Sequence, residues 1–330
     1  MINRQLLSKL FAFLVGLGCV YIAYEYNLKS NTFLNGSIYG TTWSINSADY
    51  ISDHHHSEIK NILNSIDYVA SNYKEDSEVS IINAKSINTE IELSPDLIYL
   101  IRIADEVAIK TKNSYDITLG KISAMNGFSP TFGKELSIDM LDQSKYILQG
   151  NTLIKKIDFW FDMSSIAKGF AVQKLHEYLI DNNLTNHLID IGGEIIVNGL
   201  NGDDAWVIGI QDPTSALEAP IYTITNSSIN FLAMATSGEY RNFKYQDGKR
   251  VTHTINPSTN NSIVNTLDSV TVVSLSSSTL ADAYATALNV MGLDEGLIFA
   301  DNNNLAVLFI ARTDEGTKLI KSQKWYDLGL

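Results

Sequence analysis

Phe159-Trp160-Phe161-Asp162-Met163-Ser164-Ser165-Ile166-Ala167-Lys168-Gly169-Phe170-Ala171 is the stretch from which the rest of the chain is read. An apolar, aromatic run reads as a strand over 159–162 that delivers Asp162; two serines then open a helix, and Lys168 follows within its first turn. Free backbone N–H groups at a helix start, with a cation beside them, favour an anion, so the stretch is a candidate phosphate cradle. A second reading stands beside it, in which Ser164 and Ser165 merely cap a helix over about 165–181 whose Ile166, Phe170, Leu175 and Leu179 face the core. Spacing alone leaves the two readings equal.

Around this stretch helices and strands alternate without a fixed repeat. Ile59, Ile62, Leu63, Ile66, Val69 and Ala70 keep helical spacing behind Ser52 and Asp53 as caps. A second helix runs to about Thr111, with Ser94 as N-cap and Pro95 in the first helical position, and another is expected over 279–291. Strands are expected over 37–46, 187–191, 194–197, 206–210, 222–229, 232–236, 250–255 and 269–274. Short turns such as Gly192-Gly193 and Asp247-Gly248 join several of them as antiparallel hairpins. The expected class is therefore α+β, with mixed, largely antiparallel sheets and flanking helices, in one catalytic unit over 36–330.

Composition bounds the function. The 330 residues are 45% hydrophobic, enough for a large core, and 24 basic against 37 acidic residues leave a net charge of −13 that repels polyanions. Nucleic acid is excluded as an expected partner. The single cysteine, Cys19, excludes an intrachain disulfide framework and any zinc site built from several thiolates. It lies inside the uncharged apolar run 10–24, behind a basic start. Residues 1–35 thus read as an export signal or membrane anchor with its linker, which puts the remainder outside the cytoplasm. Gly18 before Cys19 resembles a bacterial lipoprotein box, whereas Val20 to Tyr24 continue the run as an uncleaved anchor does; lipidation and simple anchoring both stay open.

Three further stretches carry candidate chemistry. The run His54-His55-His56 cannot converge on one metal, because successive helical residues point about 100° apart; it reads as a solvated first turn, and His176 and His187 as structural. In Thr279-Leu280-Ala281-Asp282-Ala283-Tyr284-Ala285-Thr286, Asp282 and Thr286 share a helical face and can share a hard cation such as Mg²⁺. The bland alternative is a capping box made by Thr279 and Asp282, which leaves Thr286 unexplained. His253 stands near the end of a returning strand, before a Pro257-Ser258-Thr259 turn.

Taken together these stretches resemble the ApbE family of flavin transferases. The resemblance covers nearly the whole exported part: Gly40-Thr41-Thr42-Trp43; Tyr73 to Asn83, similar to the family's Tyr-x₃-Ser-Glu-x-Ser-x-x-Asn pattern; Ser114 to Gly120; Asp162 to Ala171; Ile191-Gly192-Gly193-Glu194; the block from Thr236-Ser237-Gly238 to Pro257; and Ala281 to Thr286. It implies a T-fold-like α+β domain with FAD in a cleft, and transfer of FMN from FAD to a threonine of an acceptor protein with release of AMP. By the same resemblance Tyr73 lines the flavin site, Ser114, Tyr115, Asp116, Asp162 and Lys168 bind FAD, and Mg²⁺ is held by Ser165, through its carbonyl, with Asp282 and Thr286. His253, or the adjacent Thr254, stands at the reacting phosphate. The implied acceptors are flavin-carrying subunits of Nqr- and Rnf-type membrane redox pumps, met at the periplasmic face of the inner membrane. Asn256, Asn260 and Lys121 depart from the family's usual Asp, Gly and Pro. Two rivals are a metal-dependent FAD pyrophosphatase, with water in place of threonine, and a non-catalytic flavin-binding lipoprotein.

Overall fold

The computed structural model describes residues 4–28, 31–138, 145–215, 219–226, 231–238, 243–246, 249–264, 266–314 and 316–330. The expected Asp247-Gly248 turn, the end of the strand expected over 222–229, and residues 239–242 of the Thr236 to Pro257 block lie outside the described residues. In chain order the elements are α1 (Arg4–Leu28), β1 (Thr32–Ile38), β2 (Thr41–Ser47), α2 (Asp53–Ala70), α3 (Glu78–Asn83), β3 (Glu90–Glu92), α4 (Pro95–Lys110), α5 (Gly120–Met125), β4 (Tyr146–Gln149) and β5 (Thr152–Lys155). There follow α6 (Ala167–Asp181), β6 (His187–Ile191), β7 (Glu194–Asn198), β8 (Trp206–Gln211), β9 (Pro220–Asn226), β10 (Phe231–Gly238), β11 (Phe243–Gln246) and β12 (Lys249–Thr252). The chain closes with β13 (Ile255–Asn256), β14 (Asn261–Ser262), β15 (Leu267–Ser274), α7 (Ser278–Asn302), β16 (Ala306–Thr313), β17 (Gly316–Lys321) and α8 (Gln323–Asp327).

Eight strands form one antiparallel sheet in the order β1-β2-β6-β7-β10-β15-β16-β17. Side chains alternate between its faces with the strand period of two. Ile45, Ile189, Ile196, Ala235, Val272 and Phe309 join the core made with Leu63, Leu100, Phe170 and Leu288 of α2, α4, α6 and α7. Ile195, Val197, Met234, Leu308 and Ile310 pack instead with Trp206, Ile208 and Ile224 of the β8–β9 hairpin and with Trp325 of α8. The architecture is α+β, in three layers, with the helices that carry the candidate site on one face of the sheet.

Several expected elements take a different form. Residues 37–46 are the β1–β2 hairpin rather than one strand, because Tyr39 and Gly40 both adopt positive φ, 53° and 73°, and turn the chain. The expected strand 159–162 makes only an isolated bridge between Trp160 and Leu119. The strand expected over 250–255 divides into β12 and β13. The helix expected from Ser165 begins at Ala167, with Ile166 at the cap position and no side-chain cap. The helix expected over 279–291 runs on to Asn302 across Gly292, whose φ of 77° interrupts it. Among the described residues no helix is long and apolar enough to cross a membrane; in α1 the side chains of Leu10, Phe11, Phe13, Leu14 and Val20 are exposed, as is Cys19.

His176 and His187 tie α6 to the sheet. The Leu184 carbonyl, 2.8 Å from His187 Nδ1, can only accept, so His187 carries its proton there, and its Nε2 accepts from His176 Nδ1 at 2.9 Å. Burial pushes both rings down to about 4. Because an unfolded histidine titrates near about 6.5, the unfolded chain holds more protons than the folded one between about 4 and 6.5. The contribution of the pair is therefore complete above that window and is lost as pH falls through it, by about 3 kcal/mol for the fully buried His187. Urea midpoints measured at pH 7 and pH 4.5 should fall with acidification, and less steeply in the His176→Gln/His187→Gln double variant; equal slopes for the two proteins would contradict this account.

Candidate active site

The segment leading into α6 is held by side-chain amides where a strand was expected. Asn83 accepts the Phe161 N–H at 2.7 Å and donates to the Phe161 carbonyl at 3.0 Å. Asn72 donates to the same carbonyl at 2.7 Å and accepts the Met163 N–H at 2.9 Å. On the other side the Asp162 N–H reaches the Ile117 carbonyl at 2.7 Å, and Gly120 N–H the Trp160 carbonyl at 2.9 Å. The peptide on either side of Asp162 is thus clamped between two parts of the chain, and its carboxylate folds over the Ser164 N–H at 3.0 Å. This assigns the Tyr73 to Asn83 motif a largely architectural content. Ser77 caps α3, Glu78 accepts the Ser94 N–H at 2.7 Å, and Asn83 is the clamp.

Tyr115 sits behind the start of α6. Its hydroxyl lies 2.9 Å from Ser165 Oγ, and burial pushes the phenol well above its ordinary value, with the Asp282, Asp162 and Asp116 carboxylates adding to the effect. Three carboxylates therefore surround one neutral hydroxyl. Asp116 is itself satisfied: Oδ1 accepts from the Thr118 N–H and hydroxyl at 2.8 and 2.6 Å, and Oδ2 pairs with Lys145 at 2.5 Å. Ser114 follows the end of α4, its N–H on the Thr111 carbonyl.

The decisive contact is between helices. α7 is capped by Ser277, whose hydroxyl accepts the Leu280 N–H at 3.2 Å, so the alternative reading of Thr279 and Asp282 as a capping box does not hold. Asp282 turns outward from its own helix and accepts the Gly169 N–H of α6 on Oδ2 at 2.8 Å. Gly169 is required there, because a Cβ would stand 2.6 Å from both the Ser278 carbonyl oxygen and Asp282 Cβ. Ser165 lies one turn before Gly169, Thr286 one turn after Asp282, and both are half-buried. Lys168 pairs at 2.5 Å with Glu194, which the Gly192-Gly193 turn delivers at the start of β7. Burial pushes Glu194 up to about 8, Lys168 opposing and Asp282 and Asp190 adding; burial raises Asp282 likewise, against Lys168 and the Gly169 N–H.

Ser165, Asp282, Lys168 and Tyr115 are thus brought to the start of α6, with Thr286 one turn further along α7 and Asp162 acting on the Tyr115 phenol. Their oxygens are hard donors of the kind Mg²⁺ takes. The neighbouring buried hydroxyls of Ser278 and Thr279 lack partners among the described residues, so the residues fit such an ion. Among the described residues no three His, Cys, Asp or Glu side chains form a cluster of their own.

Tyr73, His253 and Thr254 belong to a second group. Tyr73 donates its hydroxyl to the Phe128 carbonyl, and partial burial and the Asp162 carboxylate raise its phenol, which links the two groups. The His253 ring lies 6.3 Å from that of Phe128, edge on. Thr254 is buried, its carbonyl accepting the Ile263 N–H at 3.0 Å. Of the departures from the family pattern, Asn256 accepts the Ser258 N–H at 2.9 Å, Asn260 takes φ 56° as glycine would, and Lys121 joins the Ser137 carbonyl and Asp158. Glu194, Asn83, Asn72 and Phe128 escaped the sequence reading as site residues; the Gly-Gly turn before Glu194 was the available signal for the first.

A model of the ApbE family matches residues 39–309. A Haemophilus influenzae protein named FAD:protein FMN transferase is 34% identical over 337 aligned positions, covering 95% of each chain. Among solved structures, the flavin transferase ApbE from Vibrio cholerae superposes with a TM-score of 0.77 at 31% identity, over 90% of this chain and 99% of that one. The apo form of Pseudomonas stutzeri flavinyl transferase ApbE gives 0.79 at 26% identity, over 91% and 96%.

Gly169→Ala tests the helix crossing. The added methyl meets backbone, so the helices must part, and a loss of about 1–3 kcal/mol is expected on unfolding in urea. A variant as stable as the parent would show that α6 and α7 do not need this approach.

Proposed function

The chain belongs to the ApbE family, and we propose that it transfers FMN from FAD to a threonine hydroxyl of an acceptor protein and releases AMP. The observation that carries this reading is the Asp282 to Gly169 contact, which brings a buried carboxylate and a lysine together at the start of α6.

A protein of net charge −13 binds a dianionic diphosphate only where its field is locally reversed. Lys168 supplies part of that reversal; the Ala167 and Gly169 N–H groups at the start of α6 are already bonded to the Met163 carbonyl and to Asp282, so the remainder falls to a bound cation. Glu194 holds Lys168 in place, and because burial weakens its charge, the ammonium remains available to phosphate oxygens. The Ser165 carbonyl, Asp282 and Thr286 are the donor set for Mg²⁺, which when bound supplies positive charge against the diphosphate. Tyr73 lines the flavin, while Ser114, Tyr115, Asp116 and Asp162 orient FAD, with Thr254 beside the reacting phosphate. His253 takes the proton from the acceptor threonine as its oxygen bonds to the FMN phosphorus. The bond from that phosphorus to the bridging oxygen breaks, and AMP leaves with the electron pair. General-base assistance of this kind contributes about 10²–10⁴-fold.

Residues 36–330 form the catalytic unit, and residues 1–35 export it and hold it at the periplasmic face of the inner membrane, through an acylated Cys19 or the apolar segment itself. The exposed apolar side chains of α1 support that attachment. The acceptors are flavin-carrying subunits of Nqr- and Rnf-type pumps, which present their threonine on the same side.

Mass spectrometry of an Nqr-type subunit incubated with the protein, FAD and Mg²⁺ tests the reading. The subunit should gain one FMN on a threonine, EDTA should prevent it, and Asp282→Ala should slow it by about 100-fold or more. Free FMN with an unlabelled subunit would instead indicate a pyrophosphatase, and bound FAD with no turnover a binding protein.

A further inference from the structure

His253 lies outside the main sheet, between Thr252 and Thr254, whose carbonyls accept from the Ser262 hydroxyl at 2.6 Å and the Ile263 N–H at 3.0 Å. The strand before it, β12, pairs with β11 and the strand after it, β13, with β14, each as a separate two-stranded sheet outside the main one. These bonds hold the backbone but not the ring, whose orientation depends on side-chain contacts, and one of these is with a firmly anchored residue. α5 is fixed to the Asp162 segment because Gly120 lies against it; a Cβ there would stand 2.7 Å and 2.8 Å from the Phe161 and Trp160 carbonyl oxygens. The chain leaves α5 in a tight turn, with the Gly127 N–H on the Ala124 carbonyl, the Phe128 N–H on the Ser123 carbonyl, both at 2.9 Å, and φ 75° at Gly127. Ser129 adds a hydroxyl contact to Ser123 at 3.1 Å.

Phe128, presented by that turn, is met from three directions. Its carbonyl accepts the Tyr73 hydroxyl. The Lys244 ammonium lies 5.0 Å from its ring centroid and also reaches the Gly127 carbonyl, which ties β11 to the turn. The His253 imidazole meets the same ring at 67°, the edge-to-face arrangement that aromatic quadrupoles favour.

The geometry points to Phe128 as a positioning residue for FMN transfer: its ring fixes the imidazole of His253 while its carbonyl fixes Tyr73, so that the base and the flavin wall are held at a set separation. The inference rests on the proposed role of His253 as base. It acts through that residue and not through FAD affinity, which gives it a distinct kinetic signature.

The test is steady-state transfer of FMN from FAD to an Nqr-type subunit by the full chain in Mg²⁺. Phe128→Ala should lower kcat about tenfold or more while the KM for FAD stays within about threefold, and Phe128→Tyr, which keeps the ring, should restore kcat to within about twofold. In a double-mutant cycle with His253→Ala, Phe128→Ala should add no further loss, because the ring then has no base to orient. Phe128→Leu takes its place in the cycle if the alanine variant does not fold. Losses that multiply, a kcat unchanged by Phe128→Ala, or a parallel rise in KM that the tyrosine does not rescue would each overturn the assignment. A His253→Ala enzyme at full rate would instead remove the base itself, and that result is read independently of Phe128.

Discussion

A carboxylate of one helix holds the first turn of another. Asp282 accepts the Gly169 N–H, and the rest of the site is arranged around that bond. It requires a residue without a side chain at 169, it draws α6 against α7, and it sets Lys168 within electrostatic reach of Asp282. It also buries the carboxylate, which costs solvation unless positive partners compensate. The upward shift of Asp282 records that cost, and the opposing pull of Lys168 and the Gly169 amide records the partial compensation. A carboxylate buried at this cost is the kind of hard oxygen donor that the proposed divalent ion would take.

In the proposed function the crowding of carboxylates around this site is what has to be overcome before a diphosphate binds. Asp282, Asp162 and Asp116 all act on the Tyr115 phenol, and Asp282 and Asp190 on Glu194. Without Lys168 and a divalent ion this field would reject phosphate; with both, as the proposed function requires, the local sign would reverse while the surrounding surface stayed repulsive to other polyanions. The charge balance of the whole chain and the local pairing at α6 are therefore parts of one selectivity argument.

Much of this was legible in residue spacing. The i,i+4 relation of Asp282 and Thr286 on a helix, the cation behind the Ser164-Ser165 pair and the alternating strands each follow from local periodicity, and the family pattern joins them in order. What escaped has a common physical cause, namely that it depends on contacts distant in sequence. Asp282 looked able to cap its own helix, and only the packing of α6 shows that it serves another. Phe161 looked like a strand residue because apolar aromatics favour strands, yet its hydrogen bonds go to the amides of Asn72 and Asn83. Glu194 read as part of a hairpin until the fold set it against Lys168. Phe128 carried no signal beyond a glycine before it, since its importance lies in what approaches it.

The central claim is that Ser165, Asp282 and Thr286 hold a divalent ion against the diphosphate of FAD at the α6–α7 crossing. Phosphorus NMR of FAD bound to the protein, with Mn²⁺ added in place of Mg²⁺, tests it most directly. Both phosphorus resonances should broaden strongly in the wild-type protein and remain sharp in Asp282→Ala at matched occupancy of FAD. Broadening of equal strength in the two proteins would place the ion elsewhere and contradict the account.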